Sequence, residues 1–254
     1  MSPRSNVMVL CVLLGVFSNA HAYQTIDLCD FDGGPPSPHS IAGYSASYDS
    51  SAVPGLIAKL DSETDWGHRA CWALVLGVVG DERAVDALIA AVEKPLNPQE
   101  PQDHEARRIA ITGLGYLVNR TGSVRALTYL IDGLTRDAWR KRNVQGLPPF
   151  IRTYAEYDRL LSEYALMALA VSGDPRAGQA LRSLQSAPTP EQALSGSQLD
   201  DLLASWLDVH RVVAERGLQG MYDYFDAQRR LNQERAAEEA RARREALYRT
   251  PQTN

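Results

Sequence analysis

Apolar residues return every three or four positions through most of this chain, and the segments that carry them come in pairs. Arg69-Ala70-Cys71-Trp72-Ala73-Leu74-Val75-Leu76-Gly77 is followed by Gly80-Asp81 and then by a second stripe with Ala84 and Leu88. Arg107 to Gly115 repeats the pattern through Ile109, Ala110, Leu114 and Gly115, and continues into Ala126, Leu127 and Leu130. Tyr164 to Ala170 repeats it again, followed by Gly173-Asp174-Pro175-Arg176 and then Ala177, Leu181 and Leu184. The period within each segment predicts a helix. The recurrence of the pair predicts helix pairs stacked side by side, an architecture that works by holding something along its surface.

The pattern also places ends and turns. Val53, Leu56, Ile57 and Leu60 predict a short helix over 52–60, with Pro54 in its first turn. Asp65 is an N-cap for a helix running to Val79, and its partner runs from Arg83 to Glu93, stopped by Pro95 and Pro98. At Gly80-Asp81 and Gly173-Asp174 the glycine permits positive φ and the aspartate can cap the next helix. Gly77 and Ala170 are small where helices must approach closely. Leu114 lies 38 positions after Leu76, but Leu169 lies 55 after Leu114; the excess is an inserted loop, 136–153, that carries Gly146, Pro148 and Pro149. Such insertions gather on one face of an array, often the binding face.

The residues Arg69, Ala73, Leu76, Gly77, Gly80, Asp81, Ala84 and Leu88, with their counterparts, resemble HEAT repeats, in particular the short HEAT-like type also seen in phycobilin lyases. The resemblance spans roughly 53–186 and implies an all-α fold: a short right-handed α-solenoid of HEAT-like helix pairs with a C-terminal charged helix. Two departures stand out. Asn119-Arg120 occupies the place of Gly-Asp in the second repeat, and the insertion breaks the period.

The flanks read differently. Arg4, the apolar run Val7–Phe17 and the Ala20-His21-Ala22 site predict a signal peptide over 1–22, hence a periplasmic or secreted protein. Residues 23–51 read as an irregular arm, 52–187 as the repeats and 188–217 as a capping helix. The last part, 218–254, reads as a charged helix and tail. Arginine-rich, lysine-poor composition with abundant alanine points to a GC-rich bacterial gene. An oxidising compartment permits a disulfide between Cys29 and Cys71; the alternative is two thiols, with Cys71 a small buried residue. The net charge of −5 argues against bulk nucleic-acid binding. After Ala22 no apolar stretch is long enough to span a bilayer.

Catalytic patterns are weak. His39, His68, His104 and His210 are scattered one per element, and no HExxH, paired CxxC or G-x-S-x-G motif occurs. Asp65 with His68 reads as a cap and a surface histidine rather than a metal site. Asp30-Phe31-Asp32-Gly33 lacks the further donors of a calcium loop. These observations predict no enzyme, no cofactor and no metal. The insertion offers the best site: Arg136, Arg140, Lys141 and Arg142 surround Trp139, and an exposed Trp among arginines is a typical recognition patch. Tyr154, Tyr157 and Tyr164 follow the insertion; Tyr157 and Tyr164, at heptad spacing on one face, read as helix packing. The expected partner is another protein, held by a non-catalytic scaffold or adaptor in the cell envelope. The alternatives are an assembly factor that self-associates as a coiled coil through the C-terminal helix, and a lyase-type enzyme, for which no residue matches an active site.

Overall fold

A computed structural model of the chain describes residues 38–100, 102–142, 144–186 and 197–249. The expected signal peptide and Cys29 lie outside them. Among the described residues every regular element is an α-helix: α1 (Pro38–Ser47), α2 (Val53–Ser62), α3 (Trp66–Val79), α4 (Ala84–Glu93), α5 (Asp103–Thr121), α6 (Val124–Asp132), α7 (Ala138–Lys141), α8 (Tyr154–Ser172), α9 (Pro175–Ser186) and α10 (Ser197–Arg249). The all-α expectation holds. The arm expected to be irregular is helical over α1, and its Tyr44 is buried. The ring finds a surface to cover.

Local chemistry sets the helix ends. The Asp65 carboxylate accepts the His68 N–H at 2.8 Å. Ser123 accepts from the Ala126 N–H at the start of α6. Thr153 and Glu156 form a reciprocal capping box at the start of α8. Gly122 and Gly173 end α5 and α8 with φ of 67° and 60°. Gly80 differs from the expectation of positive φ, since its φ is −66°. It is small for a different reason: a Cβ there would sit 2.9 Å from the Ala84 Cβ.

The stack is built on α3, α5 and α8, packed in that order, with α4, α6 and α9 as their partners. These helices touch through backbone. A Cβ on Gly77 would lie 2.6 Å from the Gly113 Cα, and one on Gly115 2.8 Å from the Ala168 Cα. With 3.6 residues per turn, positions two apart point to opposite sides of a helix. Gly113 and Gly115 therefore clear the two faces of the middle helix, one against α3 and one against α8. The small contact in α8 is Ala168 rather than Ala170.

The turns between paired helices form one edge of the stack, and arginines stitch it. Arg83 donates from its backbone to Asp81 at 3.0 Å, closes a side-chain pair with it, and reaches the Ser50 carbonyl at 2.7 Å. Arg176 repeats this on Asp174 and reaches the Gly122 carbonyl at 3.0 Å. Asp81 and Asp174 are held below the ordinary carboxylate range, chiefly by the hydrogen bonds from these arginines. The departure at Asn119-Arg120 has a structural task. Arg120 donates to the Val79 and Gly80 carbonyls, and Asn119 donates to the Ser172 carbonyl at 2.9 Å. The second repeat thus ties down the unpaired carbonyls at the C-termini of both neighbouring helices.

Helix α10 is broken at Gly217, where φ is 68°. Its first leg covers the end of the stack, against α8 and α9. His210 packs on Gly178 with Nε2 2.9 Å from the Asp174 carbonyl, and Val213 packs on Gly173. After the break, Met221 is buried and Tyr222 meets Tyr116, whose hydroxyl burial pushes well above its ordinary pKa; burial also pushes Tyr222 up, to about 12. From Asp226 to Arg244 the helix is almost wholly exposed.

Candidate functional site

The insertion between α6 and α8 is a folded platform. Its floor is Trp139, only 1% exposed. The indole N–H donates to the Ser162 hydroxyl at 3.2 Å, and the ring lies edge-on to Tyr129 with centroids 5.9 Å apart. Gly133 leaves the space it fills, since a Cβ there would be 2.6 Å from its Cζ2. The Asp158 carboxylate on α8 holds the start of α7. It accepts the N–H groups of Asp137 at 2.9 Å, Trp139 at 3.0 Å and Arg140 at 3.4 Å. Burial raises the Asp158 pKa, and the same three donors oppose that rise. Asp137 carries a φ of 60°, the one positive value outside glycine among the described residues.

The expectation of an exposed Trp139 ringed by arginines is therefore corrected. Ser162 and Asp158, both on α8, draw the indole and its backbone inward. Arg142 follows it. Its guanidinium stacks 3.8 Å from the Tyr129 ring and 4.8 Å from the Trp139 ring, and it donates to the Tyr129 carbonyl at 2.8 Å. Arg136 and Arg140 remain exposed, Arg140 pairing with Asp137 at 3.0 Å. Of the four residues expected to bind a partner, Arg136 and Arg140 face solvent.

The far side of the insertion is pinned by Arg107 of α5, itself 1% exposed. It donates to the carbonyls of Val92 at 2.8 Å, Lys94 at 2.6 Å and Gln145 at 3.0 Å, and to the Tyr157 hydroxyl at 2.8 Å. Burial raises the Tyr157 pKa, and Arg107 pulls it the other way. Gly146 has a φ of 85° and would place a Cβ 2.7 Å from the Leu96 Cβ, so the loop lies directly on the α4–α5 connection.

What this platform presents outward is a pair of aromatic rings. Phe150 is 60% exposed and Tyr154 50% exposed. Phe150 touches His104 edge-on at 4.8 Å. Beside Tyr154 lies a small cleft of about 10 Å³, room for about one water molecule, lined by Trp139, Arg140, Val144, Tyr154, Tyr157, Asp158 and Leu161. Tyr157, three residues on, packs as expected, while Tyr154 faces outward. Phe150 escaped notice in the sequence, although it follows Pro148-Pro149, a pair that stiffens the chain and keeps it out of helix.

Elsewhere the side chains serve structure. His68 Nδ1 is 3.3 Å from Glu63 and 3.8 Å from Asp65, whose main contact is its cap. Among the described residues no group of three His, Cys, Asp or Glu could hold a metal ion. Cys71 is buried and disulfide-bonded. No helix among the described residues is long and apolar enough to cross a membrane. Neither protein-family models nor curated proteins give any match to this chain.

Proposed function

We propose that this chain is an exported, HEAT-like repeat protein that acts as a non-catalytic protein-binding scaffold or adaptor in the cell envelope. The observation that carries the reading is the insertion: a platform locked from below by Trp139, Asp158 and Arg107, with Phe150 and Tyr154 held outward beside a cleft. Large exposed aromatics on a rigid support are unfavourable in water and favourable in an interface. A fixed support also keeps the ordering cost of binding low. The sequence pattern of a signal peptide cleaved after Ala22 supports export, and a Cys29–Cys71 bridge would suit an oxidising compartment. The test is crosslinking of the purified protein in native envelope extract, beside a Phe150→Ala/Tyr154→Ala variant. One specific partner should be captured by the parent protein and lost with the variant at unchanged thermal stability. Equal capture by both forms would move the interface away from the insertion.

A second reading rests on the exposed helix from Asp226 to Arg244. It is held by Arg–Glu pairs such as Arg243–Glu239 rather than by packing, and it could form a coiled coil with another copy. Sedimentation of the full chain against one ending at Gln219 decides: if both are monomers, self-association through this helix is wrong.

A further inference from the structure

We propose that the insertion binds an acidic peptide segment that carries one large apolar side chain, which packs against the exposed rings of Phe150 and Tyr154. This rests on the protein-binding reading above and names the chemistry of the partner. The first argument is charge. The chain as a whole carries −5, yet residues 136–152 hold Arg136, Arg140, Lys141, Arg142 and Arg152 against Asp137 alone. Arg136, Arg140, Lys141 and Arg152 are exposed on the same insertion. A basic surface attracts an acidic partner.

The second argument is the apolar surface on offer. Phe150 is 60% and Tyr154 50% exposed on a fixed support, and Arg140 lines the small cleft beside Tyr154. The acid in that cleft, Asp158, has both oxygens committed to backbone N–H groups, so it does not meet the ligand as a free carboxylate. Rings held outward suit one apolar residue on an extended segment. Acidic neighbours on that segment would then pair with Arg136, Arg140, Lys141 and Arg152.

The third argument is a contrast with the face formed by α4 and α6. There Arg125 pairs with Asp86, and the Tyr129 hydroxyl lies 3.1 Å from Glu93, so charges answer one another between neighbouring repeats. On the insertion Arg140 alone has such a partner among Arg136, Arg140 and Arg152, through Asp137 of the same turn.

The experiment is selection of a phage-displayed random twelve-residue library on full-length protein. Phe150→Ala, Tyr154→Ala and Arg140→Glu serve as parallel targets. All three side chains are exposed, and thermal melting will show that each variant folds. Selected peptides should carry Asp and Glu flanking a Phe, Leu, Ile or Trp. Fluorescence anisotropy with these peptides should show at least tenfold weaker binding for each variant, and weakening of parent binding by salt. Patch-dependent peptides lacking acidic residues would overturn the acidic class and leave protein binding at this surface intact. Peptides indifferent to all three substitutions would overturn this surface. No enrichment would overturn both this proposal and the binding reading. Flotation with phosphatidylglycerol vesicles, lost on Arg140→Glu, in the absence of peptide enrichment, would replace the peptide by a lipid surface.

Discussion

The two edges of the stack use arginine in opposite ways. On the turn edge, Arg83 and Arg176 lie against solvent, each paired with an aspartate two residues earlier and each touching one carbonyl of a neighbouring unit. On the insertion edge, Arg107 is buried and has no carboxylate; three carbonyls and a tyrosine hydroxyl surround it. The first arrangement repeats because its parts are adjacent in sequence. The second occurs once because it gathers groups from α4, the insertion and α8. Water weakens the former and is excluded from the latter. The insertion can therefore be fixed firmly by few residues while leaving its outer surface free for other chemistry.

The sharpest break in this contrast is Trp139→Ala. It removes the floor of the platform and should cost about 3–5 kcal/mol in urea unfolding. Binding should fail with it through loss of the platform, and a melt at the parent temperature would show that the indole is not the anchor. Arg107→Met comes next, at about 3 kcal/mol, because the Val92, Lys94 and Gln145 carbonyls would lose a charged donor. Proteolysis within 142–152 should accelerate in that variant.

Glu105 tests the same edge by pH. Burial alone would raise its pKa, but hydrogen bonds from His104 and Arg108 bring it to about 2. A folded pKa below the unfolded one gives stability that is full above about pH 4.5 and fades as pH falls towards 2. Glu105→Gln should then cost about 1–2 kcal/mol at pH 6 and little at pH 2, read from urea midpoints. An equal cost at both pH values would mean that the carboxylate charge is not what stabilises. On the turn edge, Arg120→Ala should cost about 1 kcal/mol, since the Val79 and Gly80 carbonyls lose their donor. The smallest effect belongs to Phe150→Ala: within about 0.5 kcal/mol of the parent, as for other exposed side chains. A larger loss would make Phe150 part of the fold rather than of a surface.

The pattern of small residues made the stack legible, and Gly77 lies where it predicts. It could not show that Gly113 and Gly115 serve two neighbours at once, because that requires knowing that α5 is the middle helix. Asp65 and the αL glycine at 173 were legible because a cap or a turn involves residues within one helical turn. Gly80 was misread: its constraint is crowding by the Leu76 carbonyl oxygen and the Ala84 Cβ, not φ.

The candidate site was legible only as a location. The broken period marked 136–153 as inserted, and its charge was plain. Which aromatic ring would face outward was not. Trp139 and Phe150 are both large rings in a loop with basic residues, and local sequence favours neither for burial. The choice rests on Asp158 and Ser162, 19 and 23 positions after Trp139. They converge on it only once α8 has packed beside α5 and brought Gly133 under the ring.

The sequence by itself determined the paired helices of the stack, several of their caps and the place where the repetition is interrupted. These depend on contacts within a few residues and on a period that survives without coordinates. Tertiary structure alone decided that Trp139 and Arg142 turn inward, that Phe150 and Tyr154 stay exposed, and that α10 bends at Gly217 to bring Tyr222 against Tyr116. Each of those outcomes is a competition between burial and solvation, settled by groups far apart in the chain.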